Sequence, residues 1–254
     1  FEFLADGETL TLNYDVTVAD LFGGSDQTTV AINITGTNDA PTIQGGPVSK
    51  DIPESADADQ TGVQLSDSGT FDVVDLDTSN IVNANSSFTG TAGNANPLDP
   101  ALNGVDFDSF FHVSPDPVID ANTNTAILDW NFDAGINTFE FLADGETLTL
   151  NYDVTVTDGV ETDLTTVAIH ITGTNDAPTI TGGPVNRTLQ ESAGLDQTDV
   201  QITDTGTFTV EDLDTSNVVN ANSSFTGSAG TNTDPALDQV IFDDFFHVSP
   251  DPVI

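Results

Sequence analysis

TLTLNYDVTVTDGVETDLTTVAIHITGTNDAPTI, residues 147–180, carries the pattern from which the rest of the chain is read. Leu148, Leu150, Tyr152, Val154 and Val156 alternate with Thr149, Asn151, Asp153 and Thr155. A period of two turns one face of an extended strand toward a core and the other toward water. Val167, Ile169 and Ile171 repeat the alternation, and Asp158-Gly159 opens the turn between the two runs, so the segment predicts a β-hairpin. Thr125–Phe132 and Gly69–Val74 predict further strands, and Asp99–Phe111 predicts a short helical turn. Short strands bounded by Gly, Asn, Asp and Pro clusters predict an all-β chain built from Greek-key β-sandwiches.

Much of this pattern occurs twice. FEFLADGETLTLNYDVTV fills residues 1–18 and 139–156, and ITGTNDAPTI occupies both 34–43 and 171–180. DLDTSN stands at 75–80 and 212–217, NANSSFTG at 83–90 and 220–227, FFHVSPDPVI at 110–119 and 245–254. The offset is 138 at the start, 137 through the middle and 135 at the end, and each change falls in a turn-rich stretch, as surface loops allow. A period near 137 is domain-sized rather than a solenoid unit. The expected division is 1–40 as the C-terminal part of one repeat, 41–177 as a complete repeat and 178–254 as the N-terminal part of the next, with NDAP as the joint. The absence of Met and a start inside a repeated motif predict a segment of a longer chain.

The charge is extreme: two basic residues, Lys50 and Arg187, against 42 acidic ones, a net −40. Such a surface repels nucleic acid and anionic membranes, and it also repels itself unless something neutralises it. Divalent cations would do so, and so would the salt around a halophile. There is no Cys, so no disulfide stabilises the chain. No apolar run approaches the ~18 residues of a membrane helix.

YDVTVTDG followed by TTVAIHITGTNDAPTI resembles the last strands and interdomain linker of cadherin repeats. The ITGTNDAP joint is similar to the VCBS-type, cadherin-like tandem repeats of large bacterial surface adhesins. At about 137 residues the repeat is longer than a typical cadherin repeat, and the extra length is expected within Ile81–Asn137. The resemblance implies tandem cadherin- or Ig-like sandwiches with Ca²⁺ at the joints, on a bacterial surface or in a secreted fibre.

The residues offer oxygen ligands of the kind Ca²⁺ takes, six to eight at about 2.3–2.6 Å. The linkers supply Asn38 and Asp39, then Asn175 and Asp176. The repeat after each linker supplies an early glutamate, Glu54 or Glu191, a D-x-D pair, Asp75 and Asp77 or Asp212 and Asp214, and Asn80 or Asn217 three residues on. The repeat before it supplies Glu8 or Glu146 in ADGET, and Asp20 or Asp158 after the Val-x-Val strand. On an extended segment both side chains of a D-x-D point the same way and reach one ion. By resemblance these positions hold interdomain calcium. Taken singly, a D-x-D is also just two solvated charges and NDAP a plain turn. Their combination, in that chain order and present twice, is what points to a cation. Cadherin linkers carry an acid two places before the Asn, where this chain has Gly36 and Gly173, so about one or two ions per joint are expected. Asp72, Asp106, Asp108 and Asp116 are expected on loops or solvated faces.

No G-x-S-x-G elbow, phosphate loop or H-E-x-x-H occurs. His170 aligns with Asn33 of the other copy, which argues against a catalytic histidine. His112 and His247 lie in the repeated FFHVSP and read as structural or exposed. The four N-x-[ST] matches, at Asn33, Asn85, Asn186 and Asn222, are expected by chance in so Asn-, Ser- and Thr-rich a chain. The expected function is non-enzymatic: a structural or adhesin module whose partners are calcium ions and neighbouring repeats, with no nucleic acid and no membrane insertion. Two alternatives stay open. Copies can assemble into a filament or sheath, one chain's tail completing another's head, or the polar NANSSFTG region can bind a polysaccharide or other surface.

Overall fold

The chain is described by a computed structural model covering residues 1–54, 64–97, 99–136, 138–190, 202–228 and 245–249. Strands β1 (Thr9–Ala19) and β2 (Ser25–Thr35) form an antiparallel hairpin, Thr9 facing Thr35 at its base and Ala19 facing Ser25 at its tip. The central sandwich follows, in β3 (Thr42–Gln44), β4 (Val48–Pro53), β5 (Ser66–Val74), β6 (Asn83–Gly93), β7 (Phe111–Ser114), β8 (Thr125–Asp133), β9 (Thr147–Thr157) and β10 (Thr162–Thr172). Two short strands, β11 (Thr179–Thr181) and β12 (Thr209–Glu211), pair beyond it. They repeat the β3–β5 pairing 137 residues on: Thr42 faces Val74, and Thr179 faces Glu211.

One sheet runs β3-β5-β8-β7 and the other β4-β10-β9-β6. Lettered in chain order, with β3 and β4 as the two halves of the first strand, these are sheets A-B-E-D and A′-G-F-C, the Greek-key order of an immunoglobulin-type sandwich. The chain is therefore all-β, as its alternating pattern predicts. The expected strands at 69–74 and 125–132 are β5 and β8. The expected helical turn is two 3₁₀ turns, Pro100–Leu102 and Phe107–Phe110.

The alternation decides what is buried. Leu148, Leu150, Tyr152, Val154 and Val156 of β9 and Val167, Ile169 and Ile171 of β10 are all within 1% of complete burial. They meet Phe71, Val73, Leu128, Trp130 and Phe132 of the facing sheet. Phe111 stacks between Trp130, at 5.7 Å, and Tyr152, at 4.7 Å. The Tyr152 hydroxyl donates to the Phe107 carbonyl at 3.0 Å, which ties the 3₁₀ turn at Phe107–Phe110 to the core. The same letters in the N-terminal hairpin stand exposed: Tyr14 at 52%, Val18 at 63%, Ile32 at 47%. Among the described residues nothing packs on that face as β5 and β8 pack on β9 and β10.

Both basic residues occupy one position of the repeat. Lys50 Nζ lies 3.3 Å from Asp67 and over the Trp130 ring at 5.6 Å; Arg187 Nε lies 3.5 Å from Asp204. Lys50 on β4 and Asp67 on β5 join the two sheets at their edge. Gly69 lets the Trp130 ring lie close against β5, because a Cβ there would stand 2.6 Å from it.

Candidate metal centre

Strand direction sets which acids meet. β4 runs parallel to β10, Val48 opposite Val167 and Pro53 opposite Thr172. Residue 54 therefore emerges where β10 runs into the second NDAP segment, the exit pole. The β9–β10 turn lies at the opposite end, the entry pole, where the chain arrives through the first NDAP.

At the exit pole the Glu54 backbone N–H donates to Thr172 O at 3.0 Å, and the Thr174 amide and hydroxyl both donate to its Oε1. Glu54, Glu140 and Asp176 each place a carboxylate oxygen within 4.8 Å of the other two, and all three are buried. Two oxygens on opposite sides of an ion at about 2.4 Å are about 4.8 Å apart, so one Ca²⁺-sized ion fits the triad. Asp214 joins it, 1% exposed, its Oδ2 accepting from the Asp176 amide at 3.0 Å. Glu140 Oε2 and Asp214 Oδ1 are buried with no hydrogen-bond partner among the described residues.

Burying carboxylates together disfavours their charged form. Burial first, then the charges of Glu54, Asp176 and Asp214, push Glu140 up to about 7. Burial likewise pushes Asp214 up to about 6, against the Asp176 amide, which favours its charge. The two side chains that could neutralise the cluster from within the chain, Lys50 and Arg187, are engaged with Asp67 and Asp204. An all-oxygen donor set with buried, unpartnered carboxylate oxygens suits a hard divalent cation.

The entry pole repeats the framework. The Asp39 amide donates to Asp77 Oδ2 at 2.9 Å, as Asp176 does to Asp214. The Asp77 amide donates to Asp75 Oδ1 at 2.9 Å, and the Asp214 amide to Asp212 Oδ1 at 3.1 Å. Asn80 Nδ2 donates to Asp77 at 3.2 Å and to Asn38 Oδ1 at 3.5 Å; Asn217 does the same to Asp214 at 2.7 Å and Asn175 at 3.4 Å. Asp75 and Asp77 are fully buried, and Asp75 Oδ2 and Asp77 Oδ1 have no hydrogen-bond partner among the described residues. Burial raises the pKa of both, and the charge of Asp158 adds to it. Asp158 itself, despite its burial, is held below the usual range by the amides of Glu161 and Val160 and by Asn38, whose Nδ2 donates to it at 2.9 Å.

The structure regroups the expected ligands. Glu54 is expected beside Asn38 and Asp39, yet it sits at the exit pole with Asp176, because β4 carries it the length of the sandwich. Asp158 is expected beside Asn175, yet it sits at the entry pole beside Asn38, because the β9–β10 turn points back. Asp20, in the matching turn of the first hairpin, is at the tip, ten residues along β1 from its base, about 35 Å at strand rise. Its carboxylate accepts from the Phe22 and Gly24 amides, both at 2.8 Å, and stays exposed. Glu8 and Glu146 close their own turns, accepting from the Ala5 and Ala143 amides at 3.1 Å. Glu191 lies outside the described residues. The D-x-D pairs converge through an Asx turn, not by strand alternation. Asp108 and Asp116 are exposed as expected, but each also accepts a backbone amide, from Phe88 and Ala84.

Glu140 is absent from the expected ligands. Its signal is a charge held between two aromatics, Phe139 and Phe141, which the fold buries to 0% and 5%. Gly173 shows how it comes to lie there. A Cβ there would stand 2.3 Å from the Leu142 carbonyl, so no acid fits where a cadherin linker has one. The segment that closes this space, 139–143, is the one that carries Glu140.

No protein-family profile matches the chain, and no curated protein matches it. Solved structures similar to it include PapD-like domain 7 of human CEP192 (11% identity over 55% of this chain and 88% of that one, TM-score 0.31). Another is CfaE, the adhesive subunit of the CFA/I fimbria of enterotoxigenic Escherichia coli (9%, 66% and 59%, TM-score 0.35). A third is cadherin-like domains 1 to 4 of zebrafish RET (13%, 66% and 34%, TM-score 0.29). These are pilus-adhesin, cadherin-like and PapD-like sandwiches at low identity; the fold assignment rests on the chain's own strand order.

Proposed function

We propose that the chain is part of a tandem array of VCBS-type, cadherin-like repeats in a bacterial surface adhesin or secreted fibre, and that Ca²⁺ at each NDAP joint turns a hinged string into a rod. Residues 1–40, 41–177 and 178–254 then belong to three successive repeats. The observation that carries the reading is the buried Glu54–Glu140–Asp176 triad with Asp214 against it, at the junction between the sandwich and the next repeat's DLDTSN loop. Bound Ca²⁺ would neutralise these carboxylates and draw both sides of the junction together. Without it, the converging charges repel and the linker samples many angles. The role is mechanical, not enzymatic.

Extracellular modules bind Ca²⁺ with dissociation constants of about 10⁻⁴–10⁻³ M, so roughly 10 mM calcium contributes about 1.4–2.7 kcal/mol per site. The test is calorimetry with small-angle scattering in calcium and in EDTA at equal ionic strength. The expected result is a lower Tm and a shorter, more flexible particle in EDTA. Identical Tm and scattering in both would end the calcium reading.

The exposed apolar face of β1–β2 favours assembly as a second reading, in which another copy covers it. Sedimentation showing only monomer at high concentration would remove this. The reading in which the NANSSFTG region binds a polysaccharide finds no stacking tryptophan, because Trp130 is 2% exposed.

A further inference from the structure

Residues 94–97 and 99–110, between β6 and β7, reach the exit pole and touch the DLDTSN loop at 212–217. The near end of this segment is fastened to the start of β9. The Asn94 and Ala95 amides donate to Thr147 O at 3.1 Å, the Thr147 amide donates to Asn94 Oδ1 at 2.6 Å, and Asn94 Nδ2 donates to Gly145 O at 3.2 Å. Its far end is held in the core through the Phe107 carbonyl and Tyr152. Between them lies Asp99, 5% exposed. One carboxylate oxygen accepts from the Ala101 amide at 2.8 Å and fixes the 3₁₀ turn; the other accepts from the Thr215 hydroxyl at 2.6 Å. Thr215 is the fourth residue of DLDTSN, and its amide donates to Phe141 O at 3.3 Å. Asn96, Asp99, Phe141, Glu146, Thr215 and Ser216 enclose a small cleft of about 120 Å³ at this contact.

We infer that the 94–110 segment is an interdomain clamp, which docks through Asp99 on the DLDTSN loop of the following repeat and restrains the joint independently of any cation. The entry pole repeats the receiving half: Thr78, the counterpart of Thr215, donates its hydroxyl to Phe3 O at 3.4 Å, as Thr215 does to Phe141 O at 3.4 Å. The docking partner is thus the next repeat of the same polypeptide. The inference rests on reading 174–177 as a joint between repeats, not on calcium. A hydroxyl lost from a charged, buried acceptor opens the contact about tenfold more often.

The test is amide hydrogen exchange on the full 254-residue chain, with Thr215→Val, Thr215→Ser and Asp99→Asn. In EDTA, Thr215→Val is expected to speed exchange of the Asp176 amide about tenfold and leave the Asp39 amide, at the equivalent entry-pole position, unchanged. Thr215→Ser keeps the hydroxyl and is expected to match the parent; Asp99→Asn keeps one acceptor oxygen, for the Ala101 amide, and turns an NH2 donor on the Thr215 hydroxyl, so it trades a charged acceptor for a neutral contact and is expected to fall between. Unchanged exchange at Asp176 in Thr215→Val overturns the clamp, and so does equal acceleration at Asp39, which would mark general destabilisation. Calcium that fails to slow exchange at either pole of the parent would count against the calcium reading and leave the clamp standing.

Discussion

At the scale of single residues, the buried acids of the exit pole disfavour one another's charge in the metal-free chain. Glu140→Gln removes one buried charge and should act in opposite directions with and without metal. Calorimetric titration is expected to show at least about tenfold weaker calcium binding, while the Tm in EDTA rises, because an unpaired buried carboxylate costs more than an amide. A pH dependence follows. Glu140 has a folded-state pKa near 7, above its ordinary 4.5, so its contribution to metal-free stability is full below about 4.5 and is lost as pH rises through 7. Asp214, near 6 instead of 3.8, adds the same sign. Calcium needs both deprotonated, so the gain in Tm on adding calcium is expected to grow from pH 5 to pH 8. A gain that shrinks over that range would contradict this set of ligands. Much of the clustering was readable: Asp39 and Asp77 at the entry pole, and Asp176 and Asp214 at the exit pole, stand in short motifs repeated at one spacing. Glu140 was not, because its motif also holds Glu146, and only the burial of Phe139 and Phe141 separates the two.

At the scale of elements, the hairpin was legible because alternation is local, and the poles were not because strand direction is global. Nothing in DIPES states that β4 runs parallel to β10. That one pairing carries Glu54 away from the linker nearest in sequence and delivers it to the farther one. The β9–β10 turn does the reverse for Asp158. The crossing of 139–143 over Gly173 is a second long-range feature, and it supplies a prediction. Gly173→Ala places a methyl group against two backbone carbonyls, so it is expected to cost about 1–3 kcal/mol and to weaken calcium binding by displacing Glu140. Thermal unfolding and titration of the purified variant would show both effects, and a variant with the parent's Tm would mean that the crossing yields easily.

At the scale of the whole molecule, a net charge of −40 makes every measurement salt-dependent. Monovalent salt screens exposed charges over about 8–10 Å and should stabilise the metal-free chain broadly. It cannot bridge a buried triad. At equal ionic strength calcium is therefore expected to raise the Tm beyond sodium by at least the ~1.4 kcal/mol of one weak site, and equal melting in the two salts would assign the acidity to a saline habitat instead. The paired placement of Lys50 and Arg187 has one more consequence. A protease that cuts after basic residues meets only two bonds in the whole chain. The one after Lys50 lies in β4, hydrogen-bonded along β10, and the one after Arg187 lies outside any strand. Trypsin should release the C-terminal piece early and reach Lys50 only when the first strand peels from the sandwich, so the two cuts form a built-in clock for how the sandwich comes apart.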